Sequence, residues 1–162
     1  MKTVKIQDIE KIKEYISEID TCFLSMLDAE GRPCSFPMNF GYADNTFFLH
    51  SAPEGEMYEY VMAGKPASIT FCTNRELVYQ TEKIACSYRM KAASIIAKGD
   101  LIVVEDMDEK VAALNATMKQ YSPKEFTYRD PAVRNVFIFK MMNPAFTCRA
   151  FGVPHHESLK MK

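Results

Sequence analysis

Apolar residues recur at Ile9, Ile12, Ile16 and Ile19, spacings of three and four that place one stripe on a helix with Asp8 positioned to cap it. Such a helix is expected to pack on a sheet. Residues 21–27 and 35–42 are β-prone runs separated by Asp28-Ala29-Glu30-Gly31, whose acidic residues and glycine suit a tight reversal. A second reversal at Ala43-Asp44-Asn45 leads into residues 46–50, so the pattern predicts three antiparallel strands in a row, a meander. Ser51 with Glu54 has the spacing of a capping box, which predicts a helix running through Met57, Tyr60 and Val61 and stopping near Gly64, with Pro66 beyond. Residues 67–73 read as a strand. Residues 84–104 hold two apolar runs around Lys98-Gly99, either one strand bent at the glycine or two strands. Asp106 with Glu109 repeats the capping spacing. The stripe Val111, Leu114 and Met118 then predicts a third helix ending near Ser122-Pro123, and a last strand is expected over 133–141, continuing toward Phe146 and Cys148.

The expected fold class is therefore mainly β with a few helices. No repeat, low-complexity tract or linker divides the chain, which predicts a single domain over residues 1–153 and a polar, frayed tail at 154–162. A hydrophobic content of 48% over 162 residues is enough for a continuous core. Twenty Lys and Arg against 21 Asp and Glu leave a formal charge of -1, with no general field to attract phosphate backbones or anionic lipid, so nucleic acid is not an expected partner. Residues 1–20 carry Lys2, Lys5, Lys11 and Lys13 among acids and lack a continuous apolar stretch, which predicts a cytoplasmic protein without a membrane span.

Candidate chemistry is sparse. Five cysteines at 22, 34, 72, 86 and 148 contain no C-x-x-C pair, so they read as reduced core thiols, with neither a disulfide framework nor a zinc knuckle. Eleven Met, eleven Phe and no Trp point to a soft, adaptable interior. There is no G-x-S-x-G elbow, H-E-x-x-H, G-x-x-x-x-G-K-[ST] or G-x-G-x-x-G. His155 and His156 are neighbours in the polar tail without thiol or carboxylate at ligand spacing, and no metal is expected. His50 differs, because it ends a strand immediately before the expected helix start at Ser51. Its alternative role is that of a strand-end histidine satisfied by a backbone carbonyl.

Two stretches carry a resemblance. Pro37-Met38-Asn39-Phe40-Gly41-Tyr42 and Phe47-Phe48-Leu49-His50-Ser51-Ala52-Pro53-Glu54-Gly55 resemble the core motif of the flavin-binding split-barrel superfamily, in its nitroimidazole-resistance branch related to pyridoxamine-phosphate oxidases. Ser94 through Gly99 to Glu105-Asp106 resembles that family's following strand, and Lys119-Gln120-Tyr121-Ser122-Pro123 its helix end, so the likeness spans nearly the whole chain. The resemblance implies a six-stranded antiparallel split barrel with peripheral helices, a homodimer, and flavin mononucleotide (FMN; FAD is the other possibility) in clefts shared between subunits. It further implies that Pro37, Met38, Asn39 and Phe40 run along the isoalloxazine, that His50 and Ser51 face the ribityl phosphate or the substrate, and that His50 takes part in substrate chemistry. Ser94 joins them as a cofactor-contacting position. Where the family carries a lysine that neutralises the flavin phosphate this chain has Met57, and Ala92-Ala93 replace an aromatic and a polar residue, leaving Lys91 and Arg89 to compensate. The function implied is a flavin-dependent oxidoreductase passing electrons from a nicotinamide donor to a small organic acceptor. The alternative is a non-catalytic split-barrel protein that stores or senses flavin or another planar ligand. Pyridoxamine-phosphate oxidase itself is disfavoured by the lack of a basic cluster for a second phosphate.

Overall fold

The computed structural model describes residues 2–73 and 75–153. In chain order the elements are β1 (Lys2–Ile6), α1 (Ile9–Ser17), β2 (Cys22–Leu27), β3 (Pro33–Met38), β4 (Gly41–Ala43), β5 (Thr46–Ser51), α2 (Glu56–Met62) and β6 (Ala67–Cys72). There follow β7 (Glu76–Val78), a 3-10 turn at Ala85–Ser87, β8 (Arg89–Gly99), β9 (Ile102–Val104), α3 (Met107–Tyr121), α4 (Asp130–Arg134), β10 (Phe137–Met142) and β11 (Ala145–Val153). The tail expected at 154–162, with His155 and His156, lies outside the described residues. Two compact units interleave along the sequence: among the described residues one comprises 2–19, 70–73, 75–96 and 146–153, the other 20–69 and 97–145.

In the first unit the strands lie in the order β1-β11-β8-β6, with β7 paired to β8. β1 and β11 run antiparallel, setting Ile6 against Cys148 and Val4 against Ala150. The sequence pattern misses β1 and β7, because each is short and finds its partner far along the chain or at an edge. α1 forms as expected: the Asp8 carboxylate accepts from the Glu10 amide, and Ile12 and Ile16 are buried while Ile9 is exposed. The run 84–104 resolves into two strands, preceded by the 3-10 turn.

In the second unit β2 and β3 form the expected hairpin. Asp28 closes it by accepting from the Arg32 amide at 2.7 Å and from Arg32 Nε at 2.6 Å, and Gly31 turns the chain at φ +82. Asp44 and Asn45, at φ 48 and 56, make the second reversal in the left-handed conformation that two-residue hairpins require. The meander is broken, however. β3 pairs with β2, whereas β4 belongs to a second sheet of order β4-β5-β10-β9, so the chain changes sheets at Asn39-Phe40. The fully buried Phe40 is the pivot.

Three further expectations need correction. Ser51 does not cap α2. It pairs with Phe137 as the last residue of β5, so the ladder fixes it in extended form, and Gly55 stands at the helix start with no side-chain cap. The face of α3 that is buried is Ala113, Ala116 and Thr117; the larger Val111, Leu114 and Met118 are half-buried. The cause is Gly41 on β4, where an added Cβ would lie 2.4 Å from the Thr117 backbone nitrogen: strand and helix backbones touch, and only small residues fit between them. Val133 belongs to α4, which Pro131 helps to start, so β10 begins only at Phe137. The cysteines divide as well. Burial pushes the thiols of Cys22 and Cys148 up to about 12 and about 11, while Cys72 and Cys86 are exposed, Cys72 because it falls on the outward side of β6.

Candidate functional site

The segment 37–40 leaves the β2–β3 hairpin and crosses to the second sheet. Pro37 sits opposite Phe23 on the exposed face of the hairpin, and Met38 sits opposite the buried Cys22. Asn39 and Phe40 are committed locally. The Asn39 side-chain amide donates to the Asp20 carbonyl at 3.3 Å, and the Phe40 amide donates to the Tyr121 hydroxyl at 2.9 Å. That hydroxyl in turn donates to the Asp20 carbonyl at 2.9 Å, so a residue at the end of α3 ties both ends of the hairpin together. The Phe40 ring lies 6.1 Å from Phe47 in the core and presents no surface to a ligand. Tyr121 is not legible as a clamp from the sequence, because nothing in its local pattern marks it. Replacing it with phenylalanine keeps the ring and strands the Phe40 amide, so Tyr121→Phe is expected to cost about 1–3 kcal/mol in urea unfolding. An unchanged midpoint would mean that water replaces the hydroxyl.

His50 and Ser51 are adjacent on β5, so their side chains point to opposite faces of the sheet. His50 pairs with Ile138, which is buried with Val104 and Ala113, and Phe48 packs on that cluster. Its Nδ1 is buried and has no hydrogen-bond partner. Burial lowers the imidazole pKa from its ordinary value, so His50 is neutral at pH 7. The folded state then disfavours the proton that the unfolded chain accepts near pH 6.5. Stability is accordingly full above that pH and is lost as pH falls through it toward the lowered value. Urea unfolding at pH 7.5 and 5.5 is expected to show a larger acid loss in the native sequence than in His50→Gln; equal losses would remove His50 as the cause.

Ser51 lies on the other face. It pairs with Phe137, whose ring is 4.7 Å from Tyr58 of α2, and its hydroxyl donates to the Ala52 carbonyl at 3.0 Å. Met57 is half-buried in the first turn of α2, beside Glu56 and Glu59. That end of the helix is acidic. Tyr60 donates to Glu56 at 2.7 Å, which with burial pushes the phenol up to about 12, and its ring sits 6.2 Å from Phe36 of β3. Packing thus joins β3, α2 and β10 around residues 36–38, 51 and 57–60.

Lys91 and Ser94 belong to the first unit. Lys91 lines a cleft of about 230 Å³ with Tyr15, Glu18, Glu76, Ala93 and Phe151 among its walls, whereas Ser94 is not part of that lining. Tyr15, Glu18 and Glu76 carry no sequence signal as site residues, since β7 itself is unmarked in the pattern. Among the described residues no three His, Cys, Asp or Glu side chains converge as a metal set, and no helix is long and apolar enough to cross a membrane.

Residues 8–141 match the family model of pyridoxamine 5'-phosphate oxidase. A solved structure from Bacteroides thetaiotaomicron, named for 5-nitroimidazole antibiotic resistance, is 40% identical, covers 92% of this chain and 87% of its own, and superposes with a TM-score of 0.83. The chain belongs to the pyridoxamine 5'-phosphate oxidase family. More distant members of the fold include the FAD and heme binding protein of Mycobacterium smegmatis, at 14% identity, TM-score 0.81, covering 96% of this chain and 78% of that one. The flavocytochrome Anf3 of Azotobacter vinelandii is 13% identical with TM-score 0.79, covering 97% and 75%. At those identities they show the fold alone. The mainly β, antiparallel split-barrel architecture implied by residues 37–55 is the one this family shares; the described residues hold eleven strands, several only three residues long. No curated protein matches the chain.

Proposed function

We propose that the protein binds FMN and uses it to pass electrons from a nicotinamide donor to a small organic acceptor of the nitroaromatic type. The observation that carries this reading is the 40% identity over 92% of the chain to the Bacteroides thetaiotaomicron structure named for 5-nitroimidazole resistance, in a superposition with TM-score 0.83. The residues present fit a flavin in their chemistry. Pro37 and Asn39 offer exposed positions beside the hairpin, and Ser51 lies opposite Phe137, whose ring meets Tyr58; on the other face of β5 the buried Nδ1 of His50 has no hydrogen-bond partner. Bound there, flavin supplies reversible electron transfer; the chain supplies binding, orientation and a neutral imidazole able to hold or pass a proton. Lys91 stands apart from this reading, because Glu18 and Glu76 share its cleft and oppose a phosphate.

A second copy of the chain completes the reading. Phe23, Leu27, Pro33 and Pro37 leave an apolar face on the β2–β3 hairpin, and β3 carries the segment proposed to meet the flavin. Light scattering at micromolar concentration is expected to give the dimer mass, and a monomer mass would contradict a shared site. Turnover is tested under anaerobic conditions with NADH, FMN and a 5-nitroimidazole. Acceptor-dependent NADH oxidation is the expected result. Retention of FMN without any turnover would instead favour a flavin-storing protein, to which Met57 in its acidic helix turn lends support.

A further inference from the structure

We infer, on the footing of the flavin reading, that Tyr121 is a positioning residue for the ligand: its hydroxyl holds residues 37–40 in the form that receives the flavin ring. β3 ends at Met38 and β4 begins at Gly41, so Asn39 and Phe40 cross between two sheets without belonging to either. The shape of such a crossing depends on the partners its own polar groups find. The Phe40 amide finds the Tyr121 hydroxyl at 2.9 Å, and that hydroxyl donates to the Asp20 carbonyl, which also accepts from the Asn39 side chain at 3.3 Å. One carbonyl and one hydroxyl thus set both residues of the crossing. The next residue is held by the same helix. A Cβ on Gly41 would lie 2.4 Å from the Thr117 nitrogen, and Thr117 precedes Tyr121 by four residues, about one turn of α3. Residues 40 and 41 therefore meet α3 at two successive turns, one by a hydrogen bond and one by backbone contact. The helix end is itself closed, because the Ser122 amide donates to the Met118 carbonyl at 2.8 Å. Pro37 and Asn39 are exposed while the Phe40 ring is fully buried, so the segment is anchored on its inner side and open to a ligand on its outer side. A ring laid along it meets a backbone already in place and bears no cost of ordering it. Without the hydroxyl the Phe40 amide loses its partner, and only the fraction of molecules that keeps the crossing in place binds at full strength.

The test is fluorescence titration of FMN and riboflavin against the native protein, Tyr121→Phe and Gly99→Ala, each shown to be folded at the assay temperature by circular dichroism. Tyr121→Phe is expected to weaken both flavins alike, by about five- to thirtyfold, because the segment meets the ring and not the phosphate, and to shift the visible band of the flavin that still binds. Gly99→Ala strains the fold at the Met141 side chain, away from the crossing, and is expected to bind both flavins as the native protein does. In the native protein, riboflavin is expected to shift the Phe40 amide resonance, a readout that needs no variant. Native affinity in Tyr121→Phe, an equal loss in Gly99→Ala, a loss confined to FMN, or a Phe40 resonance left in place by bound riboflavin overturns the inference while the flavin reading stands. A native protein that binds neither flavin overturns both.

Discussion

Gly41→Ala is expected to destabilise the protein by about 3 kcal/mol or more, at the top of the range for overpacking, and to lower Tm by about 6–12 °C. The added methyl would sit 2.4 Å from the Thr117 nitrogen, 2.7 Å from the Ala116 carbonyl carbon and 2.7 Å from the Thr117 Cα, all of them backbone atoms of α3. A helix backbone cannot turn aside as a side chain does. Either the helix moves from β4, opening space beside Ala113 and Ala116, or the strand pulls away from its pairing with β5. Gly99→Ala serves as the control, because its Cβ would meet only the flexible Met141 side chain, at 3.0 Å from Cγ, and its loss should be clearly smaller. Calorimetry of the two variants decides the matter. Equal losses would mean that the cost is one of glycine flexibility in strands rather than of contact with α3.

Met57→Lys is expected to tighten FMN by about five- to thirtyfold, the yield of one partly solvated ammonium contact worth about 1–2 kcal/mol, and to leave riboflavin almost unchanged. Met57 stands in the first turn of α2, two residues after Gly55, where the backbone turns at φ +92 with open space around it. Glu56 and Glu59 lie in the same turn and oppose a phosphate in the native chain, so an added cation there acts against an unfavourable background. Riboflavin lacks the phosphate and is the internal control. Flavin fluorescence titration of both ligands reads the result. A shared change would show that position 57 acts by packing against the ring, and no change for either would place the phosphate away from α2.

Features fixed by neighbouring residues are legible in the sequence. Asp8 and Asp106 cap their helices, the Asp28–Gly31 and Asp44–Asn45 turns close their hairpins, and Gly64 follows the end of α2 at φ +65. What depends on distant partners is not. β1 needs β11 and β7 needs β8, and neither pairing leaves a trace in a short strand. The α3 stripe misleads because apolar size does not mark the buried face there; the close approach of Gly41 does. Ser51 shows two local rules in competition: its spacing to Glu54 suits a cap, but pairing with Phe137 holds it in a strand. Once Ser51 is in the strand, the period of two sets its side chain on the face opposite His50. Residues 37–40 are singled out by the family resemblance alone. The Tyr121 clamp on Phe40 and the cleft around Glu18 require the folded chain.

The central claim is that this member of the family holds a flavin. Its most direct measurement is the visible absorption spectrum of the protein after incubation with FMN and separation from free ligand by gel filtration. Flavin bands travelling with the protein, near one flavin per chain and perturbed from those of free FMN, are the predicted result. A protein fraction without those bands, together with unquenched FMN fluorescence in titrations carried to millimolar protein, would contradict it.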